Sequence, residues 1–404
     1  MVKFFIFIAV ILFFILFFVR VNPPHVPSYD EIIKDKTNIP IVRVLIIEGW
    51  ESTDIAIEGD FLILNAKDEI LRSVKNGVKK ALVTNMEKEG GFIIHVGQIK
   101  DTLKVNEFKL HSPTGKPIKV NDRYFVGDIV FHGLKENKFH VVNRLELETY
   151  ILGVLQGETY DEFSLEAIKA QVVASRTYAL SEIQENKDER WHLKSTTKSQ
   201  VFLGISALKE NLKKAVLETR GIVMMDREKV FRAYFSSSCG GATADLVSLP
   251  WEKDIASVMQ GRECGYCKKM KPNNFYWEAK FPKAQILSAI TAYGNKEIKN
   301  ISDFTVHSKD NFGRALEIEI SDGEKKFLFN ALRFRNEILK EPAKLRSCMF
   351  QVNMEGQNIV FKGAGWGHGV GLCQFGSQGM AKEGRSFSDI LRFYYSGVHF
   401  YKLY

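Results

Sequence analysis

The first apolar stretch is the longest. Phe4 to Val19 contains no polar residue, and Arg20 closes it. As a helix this run would span about 24 Å, a little short of a hydrocarbon core of about 30 Å, and Val21 extends it. The sequence continues Asn22-Pro23-Pro24, without the small residues of a leader-peptide cleavage site. The expectation is an uncleaved signal anchor over residues 1–21. It would be a single pass through the cytoplasmic membrane at residues 4–19, with the bulk of the chain extracytoplasmic. Residues 22–40, with Pro23, Pro24, Pro27 and Pro40 among mixed charges, read as a linker.

From residue 41 to 140 the apolar positions come in short β-branched and aromatic runs: Ile41–Ile47, Phe61–Leu64, Gly91–Val96 and Tyr124–Phe131. Gly, Asn, Asp and Lys clusters separate them, which predicts a β-rich region. At Leu147 the period changes. Leu147, Tyr150, Ile151, Val154 and Leu155 fall on one helical face. A second helix is predicted from Ser164, a good N-cap residue, with Leu165, Ile168, Val172, Ala179 and Ile183 on its apolar face. Strand patterns return at 221–235 and 301–330. A glycine-rich loop and a short helix near Ser388–Tyr395 end the chain. No fixed-period repeat is present.

Composition changes this picture little. Over 404 residues, 45% are hydrophobic and 26% charged, which excludes a mostly disordered chain. The net charge of +8 favours anionic partners but is spread without a like-charge block. The expected N-terminal span argues against nucleic acid as that partner.

Three segments carry the candidate chemistry. The first is Leu145-Glu-Leu-Glu-Thr-Tyr-Ile-Leu-Gly-Val-Leu-Gln-Gly-Glu158, continuing through Ser164 to Ala179. The second is Phe231-Arg-Ala-Tyr-Phe-Ser-Ser-Ser-Cys-Gly-Gly-Ala-Thr243. The third is Gly363-Ala-Gly-Trp-Gly-His-Gly-Val-Gly-Leu-Cys-Gln-Phe-Gly376. Their content and order resemble the SpoIID/LytB family, which includes the stage II sporulation protein D lytic transglycosylases and the amidase enhancers. Gln200-Val-Phe-Leu-Gly204 and Thr219-Arg-Gly221 match it too. The resemblance covers most of residues 140–404. It implies a mixed catalytic core over 141–404; with the β-rich region 41–140 and the one N-terminal transmembrane helix read from the apolar patterns, the expected fold class is α+β. Thr159 stands where the family often has Met, and Phe202 where Tyr is common.

On the residues alone, Glu158 ends an apolar helix, where the negative end of the helix dipole and apolar neighbours favour a protonated carboxyl. That suits a general acid. The family match implies that Glu158 is the catalytic glutamate of a peptidoglycan lytic transglycosylase acting on glycan strands, including peptide-stripped ones, in wall remodelling or sporulation. Such an enzyme uses one glutamate and no water nucleophile, so Asp161 and Glu162 are read as a helix lead-in and catalysis requires no cofactor. The alternative is a non-catalytic wall-binding enhancer of an N-acetylmuramoyl-L-alanine amidase. Arg176, His368 and Gln374 are candidate substrate-binding residues; an arginine fits the lactyl carboxylate of muramic acid. The glycine-rich segment lacks the Lys-Ser/Thr pair of a P-loop, which argues against nucleotide binding.

Of the five cysteines, Cys264-Gly-Tyr-Cys267 has the spacing of half a zinc site. Cys239 and Cys373 fall inside two of the motifs. The four could converge as a structural zinc site or as two disulfides, and the sequence leaves both open. Cys348 is expected to be a buried small hydrophobe.

Overall fold

The computed structural model describes residues 39–404 apart from 161, 197–198, 206–208, 228, 251–257 and 271–274. The mixed α+β core is as expected. The transmembrane helix included in the expected fold class is corrected: no helix among the described residues is long and apolar enough to cross a membrane. The segment expected to span, residues 4–19, lies outside the described residues, as does nearly all of the 22–40 linker.

The β-rich region consists of two sheets. In the larger, Ile41–Trp50 pairs antiparallel with Phe139–Glu146, and that strand pairs with Asp128–Gly133. Glu107–His111, Phe61–Asn65 and Ile70–Val74 complete that side. The smaller sheet orders its strands as Arg123–Phe125, Ile118–Val120, Ser52–Ile57, Val78–Met86, Gly91–Val96 and Ile99–Leu103. Phe92 of the smaller sheet packs edge-on against Phe108 of the larger at 4.9 Å, and Phe108 stacks on Phe131 at 4.5 Å. These fully buried rings join the two sheets into one core.

The run Tyr124–Phe131, expected as one strand, is two. The chain leaves the smaller sheet at Phe125, turns at Gly127 with φ of 89°, and enters the larger at Asp128. Gly127 is needed there because a Cβ would lie 2.4 Å from the Arg144 carbonyl oxygen.

The boundary expected at residue 140 falls inside a strand. Phe139–Glu146 runs directly into helix α1, Leu147–Glu158. Helix α2, Leu165–Glu185, packs against α1 and is buried along most of its length. After it, Leu193–Lys194 returns to the larger sheet as a parallel edge beside Ile41–Trp50. Further helices are α3 (Glu210–Glu218), α4 (Tyr266–Met270), α5 (Lys283–Ala292), α6 (Gln374–Lys382) and α7 (Phe387–Tyr394). Ser386 and Asp389 form a reciprocal capping box at the start of α7. Two three-stranded sheets lie between α4 and α6. One contains Asp303–Lys309, Ala315–Ser321 and Lys326–Asn330; the other contains Tyr276–Pro282, Asn358–Ala364 and Phe350–Glu355.

Candidate active site and cysteine cluster

Glu158 is the last residue of α1. Two glycines one turn apart set its position. A Cβ on Gly153 would lie 2.4 Å from the Phe202 ring, and one on Gly157 would lie 2.8 Å from the Val201 carbonyl oxygen. Their bare faces let α1 settle on the segment Gln200–Gly204. That segment is anchored by the buried Gln200, whose Oε1 accepts from the Tyr150 hydroxyl at 3.0 Å. The Val201 amide then donates to Glu158 Oε1 at 2.7 Å. Burial raises the Glu158 pKa above the ordinary carboxylate value, and the Val201 amide opposes part of that rise. No cation among the described residues pairs with this carboxylate. Tyr160, Phe163 and Phe375 form an aromatic cluster just past it, with ring centroids 5.0 to 5.4 Å apart. Asp161 lies outside the described residues.

The three expected substrate-binding residues are placed differently. Arg176 on α2 is completely buried. Its guanidinium forms two hydrogen bonds to Glu148 at 2.9 and 2.8 Å and donates to the Thr219 and Ile222 carbonyls. It is committed to holding α1, α2 and the 219–222 turn together, which corrects the expectation that it meets the sugar chain. Gln374 adjoins the site but faces inward, its Nε2 donating to the Glu158 carbonyl oxygen at 2.7 Å and lying 3.3 Å from Gln171 Oε1. It positions the glutamate's backbone. His368 Nδ1 accepts the Val370 amide at 3.0 Å, and its ring packs edge-on against Tyr234. Burial, with the nearby Arg314 charge, pulls its pKa down to about 4, so the ring is neutral near pH 7. Its Nδ1 is taken up by the glycine-rich loop's own backbone. That loop does pack backbone on backbone: a Cβ on Gly371 would come within 2.0 Å of the Tyr234 carbonyl oxygen.

The four cysteines of the motifs do converge. Ligand atoms of Cys239, Cys264, Cys267 and Cys373 lie within 4.8 Å of one another, and all four residues are buried. All five cysteines are free, Cys348 included, and Cys348 is buried apart from the four. Cys239 and Cys267 sulfurs are 3.6 Å apart. A tetrahedral zinc with bonds of about 2.3 Å needs sulfurs about 3.8 Å apart, so the donor set fits such an ion. Backbone amides already point at one ligand: Cys239 and Gly376 N–H each donate to Cys373 Sγ at 3.3 Å. The Tyr394 hydroxyl lies 3.2 Å from Cys264 Sγ. Hydrogen bonds from Cys239 first, then from other cluster thiols, depress the Cys267 pKa; Cys239 and Cys373 are pushed up. Cys373 is also the N-cap of α6, immediately before Gln374, so the cluster and Glu158 are linked through one helix start.

Sequence reasoning missed Glu148, Gln171 and the Val201 amide. Glu148 was visible only as a charge in an apolar helix, and that anomaly was the available signal.

The α+β core thus combines a shielded carboxyl at a helix end with a buried cluster of four cysteines. A family profile described as Stage II sporulation protein matches residues 135–225, and one described as a domain of unknown function (DUF8618) matches 184–371. An uncharacterized protein of Brachyspira hyodysenteriae is 30% identical over 380 residues, covering 89% of this chain and 93% of that protein. Stage II sporulation protein D of Bacillus amyloliquefaciens is 29% identical over 274 residues, 64% of this chain and 75% of its own. The amidase enhancer of Bacillus subtilis is 25% identical over 295 residues, 61% of this chain and 39% of its own. The chain belongs to the SpoIID/LytB family, a family of sporulation and cell-wall proteins.

Proposed function

We propose that this protein is a peptidoglycan lytic transglycosylase working on the wall side of the membrane, with Glu158 as its acid and then its base. The protonated carboxyl donates to the bridging glycosidic oxygen. The resulting carboxylate takes the proton of the muramic acid 6-hydroxyl as that oxygen attacks the anomeric carbon, closing a 1,6-anhydro ring. The observation that supports this most is the placement of the Glu158 carboxyl at the end of α1, where it accepts from the Val201 amide and meets no cation among the described residues, so that burial favours its protonated form. The test is mass spectrometry of peptide-free glycan strands after incubation with the chain. Anhydromuramic ends are expected; ordinary reducing ends, or intact strands, would overturn the reading.

The similarity to an amidase enhancer supports a second reading, in which the chain binds the wall and stimulates a partner amidase. It predicts faster amidase turnover with no glycan product.

The sulfur cluster is proposed to hold one structural zinc, with Cys239, Cys264, Cys267 and Cys373 as a closed ligand set. When bound, the metal would brace the start of α6 and take no part in the chemistry. One equivalent of zinc, and loss of folded protein on chelation, are the expected results. Two disulfides without metal would reject it.

A further inference from the structure

We propose that the larger sheet of the β-rich region carries a binding site for a phosphate group, in a pocket where Arg43, Lys109, Arg144 and Arg190 converge. No residue placed around Glu158 lines this pocket, and the site stands or falls independently of the reading of Glu158.

Strand alternation builds the pocket. Phe108 and Phe131 point into the core between the two sheets, so their neighbours Lys109 and Val130, paired across the strands, point to the opposite face. Val142, Arg144 and Arg43 continue that face through the next two strands. One wall is the segment after α2. Arg43 fastens it to the sheet, its Nη2 donating to the Lys187 and Glu189 carbonyls at 2.7 and 2.8 Å, and the His192 amide donates back to the Arg43 carbonyl at 2.8 Å. Arg190 lies between these ties. The enclosed volume is about 190 Å³, below the range of about 300–1,000 Å³ for drug-sized ligands. That size suits one compact charged group with a short substituent.

The second observation is independent of shape. Arg43 and Arg144 stand directly opposite each other in the register of two antiparallel strands, a position where like charges repel. Burial first, and then the Arg144 charge, lower the Arg43 pKa, and Asp188 offsets only part of this. The acids of the pocket are already engaged. Asp68 takes Lys109 Nζ, and Glu107 Oε2 lies 2.8 Å from His132 Nδ1. Asp128, at its edge, is shared among Lys109 at 3.6 Å, Arg144 at 3.5 Å and His111 at 2.7 Å. Arg43 and Arg190 have no ion pair among the described residues.

An anion seated among these side chains turns the repulsion into attraction. Its accessible donors are Arg144 and Arg190, both exposed, while Lys109, with its side chain 11% exposed, adds charge from deeper in. The cations arrive from four separate segments of chain. A tetrahedral phosphate offers oxygens in as many directions and up to two charges, whereas a carboxylate offers two oxygens in one plane. Free phosphate and a phospholipid headgroup carry the same group.

The experiment titrates the full chain with inorganic phosphate by calorimetry, at constant ionic strength in a phosphate-free buffer. Heat of binding and a melting temperature that climbs with phosphate are expected. Arg144→Gln and Arg190→Gln should each weaken binding about tenfold, the scale of one lost charge-assisted hydrogen bond. Both side chains are exposed, so the melting temperature without phosphate should stay the same. Lys362→Gln, on a different sheet, should bind like the unaltered chain. A second arm uses dihexanoyl phosphatidic acid, a soluble lipid with the same group. Lipid binding that falls in Arg190→Gln assigns the site to a headgroup; binding of inorganic phosphate alone assigns it to the free ion. No binding of either probe, equal binding of acetate, or affinities unchanged in both arginine variants would overturn the proposal, as would an equal loss in Lys362→Gln.

Discussion

The two ends of α1 each hold a glutamate, and the protein treats them oppositely. Glu148, in the first turn, is 1% exposed and saturated: both oxygens bond Arg176, and the Gly221 amide and Tyr404 hydroxyl add to them. Glu158, at the last position, has one amide and, among the described residues, no cation. The helix dipole stabilises the first carboxylate and opposes ionisation of the second. Same residue type, same helix, opposite ends: one carboxyl is fastened by four donors, while burial favours the proton on the other.

The sharpest way to break this contrast is at its structural end. Arg176→Met would leave Glu148 buried without its cation. A loss of about 3–5 kcal/mol in urea unfolding is expected, the typical consequence of breaking a buried pair. A loss below about 1 kcal/mol would show that the pair is not what holds α1 and α2 together.

Glu158→Gln should do the reverse. The Val201 amide still meets an oxygen, so stability should change little. Glycan turnover should fall by about 10²-fold or more, the usual share of general acid–base catalysis. Product counting by mass spectrometry beside a urea melt tests both halves, and a destabilised but active variant would invert the comparison.

Gly157→Ala probes what places the acid. Its Cβ would press on the Val201 carbonyl at 2.8 Å, costing about 1–3 kcal/mol by overpacking. Turnover should drop more than substrate affinity, because the strain falls on the amide that holds Glu158. An unchanged kcat would show that the Val201 contact is incidental.

The mildest effect is on pH. Burial lifts the Glu158 pKa, so the proton persists above the usual carboxylate range. The rate of strand cleavage should fall as pH rises through that lifted value. Folding linkage has the same sign: the contribution is complete below the unfolded pKa near 4.5 and is lost as pH rises through the folded one. An alkaline limb that is unchanged in Glu158→Gln would assign it to another group.

Much of this was legible in sequence because it was local. The period change at Leu147 and the Cys264–Cys267 spacing are each read over a few consecutive residues. Arg176 was misplaced because its partner lies 28 residues away on another helix, and nothing near it in sequence shows that its donors are spent. The glycines on either side of His368 make room for the Ser236 side chain and the Arg314 guanidinium, and Arg314 lies more than fifty residues away in sequence, on another strand turn. Tyr124–Phe131 looked continuous because hydrophobic alternation does not record which of two sheets each half joins.

The connector between α1 and α2 is pinned at both ends by one helix. Gln374 holds the Glu158 carbonyl, and Gln378, one turn on along α6, accepts the Ser164 amide at 2.7 Å. Four residues of helix rise only about 6 Å, so the ends of the connector are kept at a fixed short separation. A longer connector would then bulge outward while its ends stayed in place. Members of such a lineage could vary the loop beside Glu158 by length alone, without moving its carboxyl, so that the loop and the placement of that carboxyl evolve as separate traits.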